Sequence, residues 1–172
     1  MTMVIGFVRT PDRGLADQLL HTFADRLLAD GLKLAGVVQT NSERPCSHLC
    51  DMDVRVLPDG PVFRISQVLG EESRGCRLDP AALEEAVVRV EAGLELSPDL
   101  LILNKFGRHE AEGKGFRPLI AEALARDIPV LLGVNGLNLE AFEAFAGDYA
   151  EEVAADAASL ATWFDQLQRR AA

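Results

Sequence analysis

The segment Asn104-Lys105-Phe106-Gly107-Arg108-His109-Glu110-Ala111-Glu112-Gly113-Lys114-Gly115 gathers an amide, several cations, an imidazole and two carboxylates in one stretch. Such groups, held at the end of a rigid element, can bind an anion and move a proton. Asn104 can orient a ligand or a metal-bound water, and Lys105 and Arg108 can neutralise phosphate charge. Glu110 and His109 are the candidate catalytic residues, able to act as general base or acid, and Glu110 could instead hold magnesium through water. The structural alternative is a solvated, flexible loop whose turns are set by Gly107, Gly113 and Gly115.

Three further groupings carry chemistry. Arg9-Thr10-Pro11-Asp12-Arg13-Gly14 has one glycine and no Gly-Lys-Ser/Thr, so it is not a Walker A phosphate loop. A helix starting after Gly14, with Arg9 and Arg13 beside its free N–H groups, still suits an anion, although Asp12 opposes it and a solvated turn is the alternative. Arg44, Arg64, Arg74 and Arg77 concentrate positive charge against the net charge of the chain. Arg64 and Arg77 are therefore candidate ligand-binding residues, the competing account being pairs with Glu71, Glu72 and the aspartates. Finally, Cys46-Ser47-His48-Leu49-Cys50-Asp51-Met52-Asp53 has zinc-type Cys spacing, with Cys76 elsewhere. A closed site needs four ligands, and a strand would turn Asp51 and Asp53 to one face and Cys50 and Met52 to the other. Ordinary thiols and no metal site are expected.

These groups need elements to position them. Met3–Val8 and Lys33–Thr40 are short, apolar and β-rich, as strands buried on both faces are, and the first is expected to be a central strand. Between them Leu15, Leu19, Phe23 and Leu27 mark one face of a helix, which predicts a parallel strand–helix–strand unit. Asn41–Cys50 is polar, and Asp51–Leu57 and Val62–Ser66 flank the turn Pro58-Asp59-Gly60-Pro61, predicting a β-hairpin. Gln67–Leu78 reads as an irregular loop. Asp79 and Pro80 start a helix carrying Leu83, Val87, Val90 and Leu94. Asp99–Asn104 is a third buried strand, Gly115–Arg126 a helix and Ile128–Val134 a fourth buried strand. Asn138 is expected to cap a helix that Leu137 staples against Phe142, and Leu160, Trp163, Phe164 and Leu167 stripe a last helix. The order predicts a single three-layer α/β domain, mainly parallel, with an inserted antiparallel hairpin. Ligands of such sheets bind beyond the carboxyl ends of the strands, where the loops 9–14, 40–50, 104–115 and 134–138 lie.

The strings Asp99–Phe116, Cys50-Asp-Met-Asp53, Phe63-Arg-Ile-Ser-Gln67 and Arg74-Gly-Cys-Arg-Leu-Asp79 resemble the bacterial family catalogued as domain of unknown function 2478, over about Val4–Phe164. That family is similar to the thermostable nucleoside-triphosphatases of the P-loop class, whose corresponding strand ends in Asp-Glu followed by Ile-Gly-Lys-Met-Glu. Asn104–Glu110 matches that frame with Asn-Lys in place of Asp-Glu. The resemblance implies a P-loop-NTPase-like fold and a nucleotide-shaped site with magnesium brought by a nucleotide. The phosphate-loop lysine and both Walker B carboxylates are absent, and Glu110 is the only acid carried over.

The whole chain bounds what such a site can serve. Its 172 residues, 48% of them hydrophobic, suffice for one core, and 17 basic against 27 acidic residues leave a net charge of −10. That excess disfavours nucleic acid and anionic membrane as partners. Met3–Val8 is far short of the ~20 residues that cross a bilayer, and three cysteines do not make a disulfide framework. The expectation is a cytoplasmic domain binding a small phosphorylated or oxyanionic ligand, at most a slow hydrolase, with a second copy of the chain as a candidate partner. The alternative is a non-catalytic accessory protein of molybdenum or other metal metabolism.

Overall fold

The computed structural model describes residues 3–11, 14–43, 50–67 and 78–172, except for the side chains of Glu43 and Cys50. In chain order the elements are β1 (Ile5–Val8), α1 (Leu15–Ala29), β2 (Leu34–Glu43), β3 (Cys50–Val56), β4 (Val62–Arg64), α2 (Pro80–Leu94), β5 (Leu100–Phe106), α3 (Arg108–Ala111), α4 (Arg117–Ala125), β6 (Val130–Val134), α5 (Leu139–Ala146), β7 (Ala150–Glu152) and α6 (Ala157–Ala171). The strands form one sheet in the order β4-β3-β2-β5-β6-β1-β7. β2, β5, β6, β1 and β7 run parallel, and β3 and β4 add an antiparallel extension.

Helices cover both faces. Leu83, Ala86, Val90 and Leu94 of α2, Leu119, Ile120 and Ala123 of α4, and Phe142 and Ala146 of α5 pack on the side of Leu101, Leu103 and Phe106. Leu20, Phe23, Ala24 and Leu27 of α1 and Leu160, Trp163, Phe164 and Leu167 of α6 pack on the side of Leu100, Ile102 and Leu131. The alternation along β5 sends successive side chains into the two cores, which is why that strand reads as an unbroken apolar run.

β2 belongs to two pairings. Leu34–Gly36 pair in parallel with Leu100–Ile102, and from Val37 onward the strand pairs with β3 instead. The switch falls at Gly36, which has φ +116°, and a Cβ there would sit 1.7 Å from the Ile102 carbonyl oxygen. Only glycine fits. Beyond it β2 and β5 diverge, opening a gap at their carboxyl ends.

Several sequence expectations need correction. β1 is not at the middle of the sheet: β5 and β6 lie between it and β2, and the three-residue β7 flanks its other side. The polar Asn41–Glu43 continue β2, because pairing with β3 fixes the backbone regardless of side-chain polarity. Leu137 is 92% exposed and staples nothing, while the Asn138 amide donates to Asn135 Oδ1 (3.0 Å) rather than capping α5. Leu15, expected in the apolar stripe of α1, is exposed, while Leu20 and Ala24, which widen that stripe in the sequence, are buried with Phe23 and Leu27. Asp79 does cap α2, accepting from the N–H groups of Ala81 and Ala82 (3.0 and 3.3 Å). Of Gln67–Leu78, residues 68–77 lie outside the described residues. No helix among those described is long and apolar enough to cross a membrane.

Candidate functional site

The helix after β1 lies on one face of the sheet and the helices after β5 and β6 lie on the other. Neighbouring β1 and β6 therefore send their connections in opposite directions, which makes the crevice beyond their carboxyl ends the natural ligand position. Gly14, with φ +87°, starts α1 there, and no side chain caps the helix at that residue. Arg9, at the end of β1, is turned toward β7: its Nε donates to Glu152 Oε1 (2.8 Å), and that bond raises the guanidinium pKa above its ordinary value. Arg13 lies outside the described residues.

The charged loop is more ordered than its composition suggests. Residues 108–111 form α3, and Glu110 is buried. Its Oε2 accepts from the Gly107 N–H (3.0 Å) and its Oε1 from the Phe116 N–H (3.2 Å), so the carboxylate clasps the two ends of the loop. A Cβ on Gly115, at φ +59°, would stand 2.5 Å from Glu110 Oε1, which shows how closely the chain wraps this group. Glu110, the candidate general base or magnesium holder, is thus a side chain whose two oxygens already accept from backbone donors. Arg117 donates to the carbonyls of Glu110 and Ala111 (3.4 and 3.5 Å) and lies over the Phe145 ring at 4.8 Å, joining α3, α4 and α5. Arg108 is exposed and paired with Glu112 (3.1 Å), a bond that lowers the Glu112 pKa. His109 is half-buried beside Gly115. Lys105 is exposed and forms no ion pair among the described residues.

Of the second arginine group, Arg64 is the member that falls among the described residues. Arg64 binds Asp53 (2.9 Å) and Asp51 (3.3 Å), the two aspartates that alternate onto one face of β3. The hydrogen bond to Asp53 and the charges of both carboxylates raise its pKa and offset its positive charge. Arg44, Arg74, Arg77, Cys46, His48 and Cys76 lie outside the described residues. Among those described, no group of three His, Cys, Asp or Glu is placed to hold a metal ion.

Asn104 is the candidate whose surroundings go furthest beyond expectation. It is 6% exposed, and its Nδ2 donates to Oε1 of Gln39 (2.8 Å), itself 5% exposed. Gln39 Nε2 donates to Asn41 Oδ1 (2.8 Å), and Asn41 Nδ2 to Asp17 Oδ2 in the first turn of α1 (2.7 Å). Gln39, Asn41 and Asp17 were not singled out from the sequence. The available signal was a glutamine ending the otherwise apolar Val37-Val38-Gln39 run. A neutral amide in place of a strand-end carboxylate is a poor magnesium ligand, and Glu110 is committed to two N–H groups, so these residues do not fit a magnesium ion held by the chain.

The order of the strands and the two helical layers make this a P-loop-NTPase-like α/β domain. The crystal structure of THEP1 from the hyperthermophile Aquifex aeolicus matches it with a TM-score of 0.63 over 95% of each chain at 11% identity, a likeness of fold. Residues 5–163 match the family described as "Protein of unknown function (DUF2478)", and the chain belongs to that family. A curated relative, the Molybdenum import ATP-binding protein ModC 2 of Bradyrhizobium diazoefficiens, is 32% identical over 154 residues. The matched segment is 90% of this chain and 17% of that protein.

Proposed function

We propose that the domain binds a small phosphorylated or oxyanionic ligand at the carboxyl edge of β1 and β6, and that it hydrolyses nucleotides slowly or not at all. The observation that carries this reading is the pairing of an α1 N-terminus that opens on a glycine, at the strand-order reversal, with a neutral Asn104 where a catalytic magnesium site would need a carboxylate. Lys105, with Arg13, supplies positive charge to the ligand, and magnesium, where a nucleotide brings it, is held by the nucleotide's own phosphates. The 32% identity to part of an ATP-binding protein supports the nucleotide form of this reading. That protein's molybdenum-import name supports a second reading, an accessory role in which the oxyanion is molybdate.

Thermal unfolding with ATP, GTP, phosphate and molybdate tests both. A ligand at one hundred times its Kd adds about 2.7 kcal/mol of stability. Stabilisation by none of them removes the binding reading. Turnover of ATP or GTP at roughly 1–100 per second removes the slow-hydrolysis part.

A further inference from the structure

The polar side chains in the gap between β2 and β5 form a directed chain of hydrogen bonds. Its starting group, Asp17, is a carboxylate and accepts without donating, so Asn41 must turn its NH₂ toward it. Asn41 Oδ1 is then left to accept from Gln39, and Gln39 Oε1 to accept from Asn104. Reversing any single amide would set NH₂ against NH₂ or oxygen against oxygen. The polarity runs in one direction, and its last atom, Asn104 Oδ1, is a buried acceptor with no partner among the described residues.

The backbone of Asn104 is packed against β6 and the first turn of α1, and Asn41, further along the same chain, would stand 3.7 Å from a Cβ on Gly14, so the amide chain as a whole borders the proposed ligand edge. Gly133 of β6 lacks the Cβ that would come 2.8 Å from the Asn104 main-chain oxygen and 3.7 Å from the Ala16 Cβ, so Asn104, β6 and the first turn of α1 meet closely. The N–H groups that open α1 favour negative charge, while Asn104 Oδ1 calls for a hydrogen-bond donor. An oxyanion satisfies both only if it keeps a proton.

Resting on the anion-site reading above, we propose that the ligand is a protonated phosphate oxyanion, either free hydrogen phosphate or a phosphomonoester, whose O–H is accepted by Asn104 Oδ1. Fully ionised tetrahedral anions such as sulfate and molybdate bring only acceptors, and they meet the Asn104 lone pairs unfavourably. Asp17 is a positioning residue: it acts through Asn41, fixing which end of every amide points where.

The test is calorimetric titration, backed by thermal unfolding, of the wild type, Asp17→Asn and Asn41→Ala with inorganic phosphate, methyl phosphate, sulfate and molybdate. One pH near ~6, close to the second ionisation of a phosphomonoester, serves for all. Wild type is expected to bind phosphate or methyl phosphate at least tenfold more tightly than sulfate or molybdate; binding of phosphate without methyl phosphate identifies free phosphate. In Asp17→Asn the anchor can donate as well as accept, the chain can reverse, and Asn104 can present its NH₂. The preference should fall tenfold or more toward sulfate, and Asn41→Ala, which cuts the chain, should relax it in the same direction. A wild type that binds sulfate or molybdate as tightly as phosphate, or a preference unmoved in both variants, overturns this proposal and leaves the anion site standing. No binding of any of the four anions overturns this proposal, and failure of ATP and GTP as well takes the underlying reading with it.

Discussion

The loop 107–116 and the gap between β2 and β5 lie at the same edge of the sheet and handle polarity in opposite ways. In the loop, the carboxylate of Glu110 accepts two backbone N–H groups, Arg108 is matched by Glu112, and Arg117 spans two carbonyls and a ring. In the gap, neutral amides make a chain that leaves one buried acceptor over. Formal charge is concentrated in the first region and unmet hydrogen-bonding capacity in the second. A group already satisfied by its neighbours has little left for a ligand, whereas a buried acceptor without a partner retains its full demand.

The largest expected effect tests whether the gap depends on where β2 leaves β5. Gly36→Ala puts a methyl group into the Ile102 carbonyl at a backbone angle that alanine rarely adopts. The loss should exceed ~4 kcal/mol, in the range reserved for severe core lesions. Urea denaturation reads it directly, and a variant of near-native stability would mean that the divergence is not set at Gly36.

Next is Glu110→Ala, which strips the acceptor from two backbone donors. At roughly 1–3 kcal/mol for each of the two buried donors left unmet, about 2–6 kcal/mol should be lost. For a chain of this size that is a fall in Tm of roughly 4–24 °C. Unchanged Tm with loss of ligand binding would return Glu110 to a direct role at the site and undo the contrast between the two regions.

The smallest effect belongs to Arg108→Ala. The Arg108 hydrogen bond holds the Glu112 carboxyl below its usual range, so any stabilisation from the pair is present above that range and is lost as pH falls through the lowered pKa. Both side chains are exposed, and the wild type and variant should melt together at neutral pH within experimental scatter, and also in acid. A clear gap at neutral pH that closes in acid would show the pair to be structural.

The strands and their two cores were legible because burial on both faces leaves a continuous apolar signature: Leu100–Leu103 and Val130–Leu132 could hardly be anything else. β7 was not legible. Ala150-Glu151-Glu152 carries no strand pattern, and its conformation comes from pairing with residues more than a hundred positions earlier. The site was half legible. Asn104 and the charged loop could be located from spacing, but the partners that decide their roles are distant in sequence: Gln39 lies 65 residues from Asn104, and Asp17 lies 24 from Asn41. The partners of Glu110 were hidden for a different reason. Its two partners are main-chain N–H groups, which every residue but proline carries and no residue type announces.

The contact between α6 and β1 makes the protein its own optical reporter. Its single tryptophan, Trp163, lies on Gly6 so closely that a Cβ there would come within 2.4 Å of the indole ring, and the indole N–H donates to Glu151 of β7 (3.2 Å). These contacts join the two ends of the sequence, the most non-local closure in the fold and therefore among the slowest to form. In a refolding experiment, intrinsic fluorescence would follow that closure, while far-ultraviolet circular dichroism would follow the locally connected β2–β3–β4 meander and the helices. A lag between the two signals would time the docking of the last helix without any label being added.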